Sequence, residues 1–526
     1  MPCTKLRQRL NNLLSERWIL AIDLGNGGPK VAVVDLHDQI RAVSVRTVLL
    51  QIGLDGTATQ DANEWWTQLL EAAREAIGKS QVNPADLHAI AITGQWGSTV
   101  PVDRHGNPVG EVLLWADTRG EKYMRHIIGG PINYQGFSPL RVFSWVRKTG
   151  GAPTPSGADP TGHSQVLQHE LRETYDRAAY LLEPVDYIGM RFTGRAAATP
   201  ASMILSWLTE NRLNRKTAYD PQLIRRARRD PAKLPPLLST GSVLGTVLPA
   251  VADSLGIPAD VPVMCGIPDL HTAVIGSGAV EPFATHLSIS TTAWIGTRVP
   301  FKKTDVLHSI ASVPGLDDSF PIVANNHETG GAALRWLKEQ ILADETYENL
   351  ITKAELAPAG CEGVLFTPWL NGERSPVEDK NIRASFLNLS LRSDQATLIR
   401  AVMEGVAFNA RWLFDAYEKF LGRKPATVRI IGGGAQSDLW CQMHAYALNR
   451  PIERPADPRD AQLKGAASWA RVCLGEMTLE QAGKQAIVTD IFLPDGPDAA
   501  IYSELYAEFR HLYPVLRKTL HRLNKL

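Results

Sequence analysis

Glycine- and hydroxyl-rich turns recur in this sequence at points where short apolar runs end. Residues 25–28 read Gly-Asn-Gly-Gly between apolar runs at 19–22 and 31–34, and Thr291 and Thr292 separate a second pair of runs. Because glycine has no Cβ, backbone N–H groups of such a turn can approach phosphate oxygens closely, and threonine hydroxyls add donors. Each turn taken singly is better explained as a tight hairpin, but their recurrence favours a phosphate cradle.

Two aspartates follow apolar runs at positions where phosphoryl transfer would use a carboxylate. Asp23 ends the first run and can hold Mg²⁺ through water, which suits a cation that dehydrates reluctantly. Asp269 follows the run at 261–264 in a Gly/Pro loop and can accept a hydroxyl proton as the oxygen attacks phosphorus. Since aspartate is also a preferred helix N-cap, the local pattern leaves both roles open for Asp269.

A third glycine-rich segment, at residues 432–434, joins an apolar run at 428–431 to a helical pattern that opens near Ser437. Glycines between a strand and a helix N-terminus commonly admit a nucleotide. The same pattern is equally consistent with a tight strand-to-helix turn, so on its own it leaves the choice open.

The elements that must position these residues indicate an α/β protein. A hairpin over 18–35 is followed by a helix that we expect to end at Gly78, and then by a buried strand over 87–93. The comparable hairpin around residues 286–298 suggests two related domains. The segment 150–163, rich in Pro, Gly and Ser, predicts an exposed loop without assignable chemistry.

Composition narrows the function classes. The 526 residues are too many for one core and indicate two domains, with a hinge expected at residues 276–282. The 55 basic and 55 acidic side chains cancel, which argues against a nucleic-acid partner. The first 16 residues lack the apolar core of a signal peptide, and no run approaches the roughly 20 apolar residues of a membrane span. We therefore expect a cytoplasmic protein without a membrane partner, and a homodimer is one expectation for its assembly.

With these pieces in order, the chain resembles the FGGY carbohydrate kinases of the actin/hexokinase/Hsp70 superfamily, most closely their xylulokinase-like branch. The resemblance runs from about residue 18 to about residue 476 and rests on seven blocks in family order. The blocks are Ile22-Asp23-Leu24-Gly25 with Lys30, Thr93-Gly94-Gln95, Leu114-Trp115-Ala116-Asp117-Thr118-Arg119, Gly372-Glu373-Arg374-Ser375-Pro376, residues 401–408, residues 432–437 and Gly465-Ala466-Ala467.

The resemblance implies a two-domain actin-like (ribonuclease H-like) ATPase fold with an interdomain cleft, with a sugar-binding domain at 17–280 and an ATP-binding domain at 281–526. It implies ATP-dependent phosphorylation of a small ketose, such as D-xylulose, or of a polyol, with Mg²⁺ as a cofactor and domains that close on the substrates. Asp269 matches the catalytic base and Asp23 the position that helps to hold Mg²⁺. The residues that match ATP contacts are Gly25, Asn26, Gly27, Gly28, Thr291, Thr292 and Gly331 on the phosphate side and Gly433, Gly434, Gln436 and Ser437 on the adenosine side. The residues near the sugar pocket are Gln95, Trp96, Asp117, Arg119 and Asp269 itself.

Several positions depart from the family pattern. Asn26 stands where threonine is usual, and Pro268 and Leu270 flank the base where glycine and glutamine are usual. Trp96 and Gly97 replace the Met-His of xylulokinases, so the sugar pocket is rebuilt and D-xylulose as the substrate does not follow. These departures leave a non-catalytic regulator that binds ATP and sugar as the alternative function. An ATP hydrolase of the chaperone kind is a weaker third reading, because the C-terminal blocks have no place there.

Overall fold

The computed structural model describes residues 17–133, 136–213, 215, 217–305, 308 and 310–525. The first 16 residues, from which we expect no signal peptide, lie outside these ranges. Helices and strands alternate along the described chain, which confirms the α/β class.

The first half of the chain carries the elements that end near the predicted base. Its strands are β1 (Trp18–Gly25), β2 (Gly28–Asp35), β3 (Ile40–Val45), β4 (Gln51–Ile52), β5 (Ala58–Gln60), β6 (Leu87–Gly94), β7 (Val100–Val102), β8 (Val112–Leu113), β9 (Tyr180–Leu182), β10 (Val243–Thr246), β11 (Pro262–Met264) and β12 (Ile267–Pro268). Its α-helices are α1 (Ala62–Ser80), α2 (Glu121–Ile127), α3 (Pro139–Thr149), α4 (Pro160–His169), α5 (Arg172–Arg177), α6 (Pro184–Thr193), α7 (Pro221–Arg226), α8 (Pro249–Leu255) and α9 (Asp269–Gly276).

A mixed sheet in the order β10-β11-β6-β1-β2-β3, with β12 also beside β6, forms the core of this half. Strands β1, β2 and β3 are antiparallel neighbours, whereas β6 runs parallel to β1 and to β11. Successive side chains of a strand point to opposite faces, so Leu20 and Ile22 pack on the side of Trp65 from α1. Ile19 and Ala21 pack on the other side. Both faces of β1 are therefore buried, as its continuous apolar run requires.

The second half repeats this plan. Its strands are β13 (Thr285–Ile289), β14 (Ala293–Arg298), β15 (Thr304–Asp305), β16 (Ile310–Val313), β17 (Ile322–His327), β18 (Leu365–Thr367), β19 (Ser385–Leu387), β20 (Val428–Ile431), β21 (Ile452–Pro455) and β22 (Val488–Phe492). Its α-helices are α10 (Ala332–Gln340), α11 (Tyr347–Leu356), α12 (Gln395–Leu421), α13 (Asp438–Leu448), α14 (Ala461–Cys473), α15 (Leu479–Lys484) and α16 (Ala499–Leu523).

The second sheet has the order β15-β16-β17-β14-β13-β20-β21-β22. Its central part, β17-β14-β13-β20-β21, reproduces β3-β2-β1-β6-β11 in both order and direction: three antiparallel strands, then two strands parallel to the innermost hairpin strand. Two copies of one supersecondary plan confirm the two related domains that the recurring hairpins suggest and the actin-like fold that the resemblance implies. The proposed boundary between residues 280 and 281 remains a prediction.

The two halves are joined by helices that pack backbone to backbone. A Cβ on Gly276 of α9 would lie 1.8 Å from the carbonyl oxygen of Ala461, and one on Gly465 of α14 would lie 1.9 Å from that of Thr272. Helix α14 covers the Ile19 face of the first sheet, although it belongs to the second half of the chain. The small-residue block at 465–467 thus allows a close contact between the halves.

Two expectations about local structure are wrong. Helix α1 continues through Gly78 to Ser80, because the left-handed residue that ends it is Gln81, with φ 58°. Residues 150–163 are not an exposed loop, since they include the start of α4, which is buried from residue 160 to residue 167. Asp159 caps that helix by accepting hydrogen bonds from the backbone of Thr161 and Gly162.

Candidate active site

Three of the predicted site residues lie at neighbouring strand ends of the first sheet. Strands β1 and β12 both run parallel to β6, and Leu24 of β1 and Pro268 of β12 pair with Gly94. Asp23, Gln95 and Asp269 therefore come to the same edge, and the Gln95 backbone N–H donates to the Leu24 carbonyl at 2.8 Å. The carboxyl ends of parallel strands are the usual ligand-binding edge of an α/β sheet.

Asp269 is the first residue of α9 and not its N-cap, which is Pro268. Its Oδ1 accepts the backbone N–H of Leu270 at 2.8 Å. Burial, and then the nearby Asp23 carboxylate, raise the pKa of Asp269 to about 7. A carboxyl group with a pKa near neutrality is present partly as the base at neutral pH and binds a proton strongly enough to remove one from a hydroxyl during reaction.

Asp23 lies in a patch of opposing charges that spans both halves of the chain. Burial raises its pKa, Lys30 opposes that rise, and Asp460 adds to it. The Lys30 ammonium group donates to Asp460 Oδ1 at 3.3 Å and to the Arg459 carbonyl at 3.2 Å. Strand β2, which follows the first glycine-rich turn, is therefore linked to the segment that precedes α14.

These carboxylates fit a magnesium ion that is brought with a nucleotide. Asp23 and Asp269 repel each other, so a cation between them would relieve unfavourable charge. Within the ranges that the structure describes, no three His, Cys, Asp or Glu side chains are grouped as a metal site. Mg²⁺ commonly takes only one or two carboxylates and completes its shell with phosphate oxygens and water.

The second hairpin turn is packed against the start of α10. The Gly331 N–H donates to the Ser290 carbonyl at 2.6 Å, and the Gly330 N–H donates to the Thr291 carbonyl at 3.0 Å. A Cβ on Gly331 would lie 2.6 Å from the Ser290 oxygen, so glycine is needed there. This contact leaves Thr291 exposed at the tip of the turn and Thr292 partly exposed.

The predicted adenosine segment begins at the end of β20, which lies beside β13. Gly432 has φ 92°, and a Cβ there would lie 2.5 Å from the Ile289 carbonyl oxygen. A Cβ on Gly433 would meet no atom within 4 Å, whereas one on Gly434 would lie 2.5 Å from an Ile289 methyl group. Gln436 is exposed, and Ser437 caps α13 by accepting the Trp440 N–H at 3.2 Å. Gly433 and Gln436 thus border open space, while the neighbouring glycines allow close packing.

Among the residues that we predict near the sugar, Gln95 is 5% exposed, and neither polar atom of its amide has a partner among the described residues. Buried amide groups are normally hydrogen-bonded, so we expect a ligand or water to bind these two atoms. Trp96 is partly exposed beside them. The following Gly97 N–H donates to Glu183 Oε2 at 2.8 Å, and burial raises the pKa of Glu183 well above its usual range. Glu183 shapes this loop, and no local sequence signal identified it.

Asp117 and Arg119 are paired with each other within their loop. Asp117 is fully buried, and its Oδ2 accepts the Ala58 N–H at 3.1 Å and the Arg119 Nη2 at 2.6 Å. Its Oδ1 accepts the Arg119 backbone N–H at 3.1 Å. In this geometry Asp117 holds the loop together, and a direct sugar contact by either residue stays a prediction.

Two family models match the sequence. The N-terminal domain of the FGGY family of carbohydrate kinases matches residues 18–276, and the C-terminal domain of the same family matches residues 309–473. This chain belongs to the FGGY family of carbohydrate kinases. Family membership makes the chain an enzyme, a sugar kinase, and does not support the non-catalytic regulator.

The relatives of this FGGY kinase span nearly its whole length. A xylulose kinase of Staphylococcus epidermidis is 28% identical over 514 residues, which cover 94% of this chain and 96% of the relative. An erythritol kinase of Brucella abortus is 27% identical over 518 residues, covering 94% and 95%. The crystal structure of ligand-bound xylulose kinase from Lactobacillus acidophilus superimposes with a TM-score of 0.83 at 23% identity, covering 96% of this chain and all of that one. That likeness confirms the fold.

A helix that crosses a bilayer needs about 20 predominantly apolar residues. Within the described residues, no helix of this FGGY kinase combines the length and the apolar character that a membrane crossing requires.

Proposed function

We propose that this FGGY kinase transfers the terminal phosphoryl group of ATP to a hydroxyl of a small ketose or polyol, with Asp269 as the general base. The observation that carries the proposal is that three residues lie together. They are Asp23 near the carboxyl end of β1, Gln95 directly after β6, and Asp269 at the N-terminus of α9. A base, a cation-holding acid and an unpartnered amide then face one substrate position.

In the proposed step the substrate hydroxyl gives its proton to the Asp269 carboxylate while its oxygen bonds to the terminal phosphorus. The bond between that phosphorus and the bridging oxygen breaks, and ADP leaves with the electron pair. Asp269 is fixed for this role because its Oδ1 is held by the Leu270 N–H, which orients the carboxylate. The protonated Asp269 then returns its proton to solvent.

The phosphate groups lie between two turns in this proposal. Backbone N–H groups at residues 25–28, with the hydroxyls of Thr291 and Thr292, bind phosphate oxygens, and Gly331 lets the second turn close on α10. Asp23 would hold Mg²⁺, which when bound neutralises charge on the phosphates. Residues 433–437 bind the adenosine side, where Gly433 leaves open space.

The substrate class follows from the sugar side of the site. A hydroxyl both donates and accepts, so a polyhydroxylated molecule satisfies both orphaned atoms of the Gln95 amide. Relatives of similar length act on xylulose and on erythritol, a ketose and a polyol. Trp96 stands where xylulokinases typically carry methionine, so we place D-xylulose among the candidates without preferring it.

In this proposal the two domains close when the substrates bind. Closure expels water, which would otherwise hydrolyse ATP in place of the transfer to the sugar. The close packing at Gly276 and Gly465 makes the contact of α9 with α14 the pivot that we propose for this closure. The reaction needs only ATP and small molecules, so a cytoplasmic location suits it.

A screen of pentuloses, hexuloses and tetritols with coupled ADP detection tests the proposal. We expect at least one of them to give ADP release that depends on both the sugar and Mg²⁺. ATP binding without ADP above background from any substrate would overturn the proposal and favour the regulator.

A further inference from the structure

Asn26, which stands where threonine is usual, is held by a tryptophan from a distant loop. The Trp115 indole N–H donates to Asn26 Oδ1 at 2.8 Å. An indole nitrogen can only donate, so the atom facing it is the amide oxygen and not the amino group. The Asn26 amino group therefore points away from Trp115, and within the described ranges no acceptor contacts it.

The backbone of the same turn is braced from its side. Gln60 Nε2 donates to the Asn26 carbonyl at 2.9 Å, and Gln60 Oε1 accepts the Trp65 indole N–H at 3.0 Å. The Val48 N–H donates to the Gly27 carbonyl at 3.1 Å. The carbonyls of Asn26 and Gly27 thus face the protein. The two N–H donors of the Asn26 amide remain for an anion.

Trp115 is in turn covered by a residue from the second half. The guanidinium carbon of Arg374 lies 4.9 Å from the centroid of the Trp115 ring. Arg374 Nε forms an ion pair with Glu328, and the Glu328 N–H donates to Glu373 Oε1 at 2.9 Å. Glu328 directly follows β17, whose last residue pairs with the first residue of β14 next to Thr292. Arg374 is therefore positioned by the strands that position the second phosphate turn.

We propose that Trp115 is a positioning residue for phosphoryl transfer, which aims the Asn26 amino group at the terminal phosphate of ATP. Arg374, lying on the Trp115 ring, ties that orientation to the second phosphate turn. The inference rests on the proposed function, since it puts the terminal phosphate at residues 25–28. Two oriented donors then replace the single hydroxyl of the usual threonine, and oriented donors are most effective where charge develops on the phosphoryl oxygens.

A double-mutant cycle between Asn26→Ala and Trp115→Phe tests the coupling. Phenylalanine keeps a ring beneath Arg374 but removes the N–H donor. Because hydrogen bonds to charged groups are strong, we expect each single change to lower kcat/KM for ATP about tenfold or more. The double variant should fall no more than about threefold below Asn26→Ala alone. Trp412→Phe is the matched control, since no hydrogen bond of its indole occurs in the described part of the chain and it packs on Trp369 and Tyr513.

The Asn26→Thr background separates positioning from a direct sugar contact. Threonine is too short to reach Trp115, so Trp115→Phe should change kcat/KM for ATP less than about threefold there. Losses that add in the double variant would overturn the proposal. An equal rise of the sugar KM on Trp115→Phe in both backgrounds would also overturn it, because Trp115 would then act on the sugar.

Arg374→Lys and Arg374→Met test the link to the second half. Lysine keeps a cation over the ring and should retain most of the activity that Arg374→Met loses. Dissociation constants for ATP, measured by calorimetry on every variant, keep the two proposals distinguishable. If wild type binds ATP but no sugar gives ADP, the proposed function fails while coupling in ATP affinity still supports the role of Trp115. Absence of coupling in affinity, or of ATP binding itself, overturns that role.

Discussion

Replacing Asp269 by asparagine removes the proposed base while changing little else. Asparagine keeps an oxygen at the Oδ1 position, so the hydrogen bond from the Leu270 N–H, 2.8 Å in the native chain, can persist. Pro268 remains the N-cap of α9, and the closest contacts of this helix with α14 are at Thr272 and Gly276. We therefore expect the free energy of unfolding to change by no more than about 1 kcal/mol.

The catalytic loss should be large, because a neutral amide cannot accept a proton. General-base catalysis contributes about 10²- to 10⁴-fold, so kcat should fall by that factor, equivalent to about 3–5 kcal/mol of barrier. ATP affinity should remain or improve slightly, since the change removes one of two repelling carboxylates beside the phosphate turns. Loss of kcat with retained ATP affinity distinguishes a missing base from a damaged nucleotide site.

The assay is sugar-dependent ADP formation, with ATP affinity measured separately by calorimetry. Asp394→Asn is the isosteric control, because Asp394 caps α12 by accepting the Thr397 N–H at 2.9 Å and asparagine caps equally well. We expect this control to match wild type. An Asp269→Asn protein that keeps more than about a tenth of wild-type turnover would refute the assignment of the base.

Three further outcomes follow from the structure. Since Asp269 must be ionised to act and its pKa is raised to about 7, kcat/KM for the sugar should fall about tenfold per pH unit below that value; a profile flat from about pH 5 to about pH 8 would contradict this. Gly465→Ala places a Cβ 1.9 Å from the Thr272 carbonyl oxygen, so thermal unfolding should show a loss of about 1–3 kcal/mol. Gly433→Ala meets no atom within 4 Å, so it should keep the wild-type unfolding midpoint but raise the KM for ATP; equal destabilisation by both changes would count against this reading of α9 and α14.

The elements that local pattern predicted well are those whose signals lie within a few residues. Both hairpins form where apolar runs flank glycine or threonine, because such turns need no distant partner. Helix α4 carried an equally local signal, Asp159 before Pro160, an N-cap followed by a residue that suits the first helical position. The general richness of residues 150–163 in Pro, Gly and Ser outweighed that signal and gave an exposed loop where a buried helix lies.

The site residues also differ in whether their signal is local or depends on a distant partner. Asp23 follows the apolar run of β1 and Asp269 follows β12, so their arrival at one sheet edge could be predicted from the strand pattern and the family blocks together. The contact of Lys30 with Asp460 could not, because it joins residues 430 positions apart through the packing of α14 on the first sheet. Glu183 was missed for a related reason, since its partner Gly97 lies 86 positions away and nothing local distinguishes the carboxylate.

The interpretation of Asn26, which departs from the family motif, changes once its hydrogen bond with Trp115 is known. From sequence, it reads as the loss of a hydroxyl at the phosphate turn and motivates a non-catalytic regulator. In the structure its oxygen is occupied by Trp115, 89 positions away, so the side chain presents two donors in a fixed direction. A free asparagine would lose rotamer entropy on binding phosphate, whereas one already held by an indole loses less. In our proposal Asn26 and Trp115 therefore act as one unit, and the departure from threonine is compatible with a working kinase.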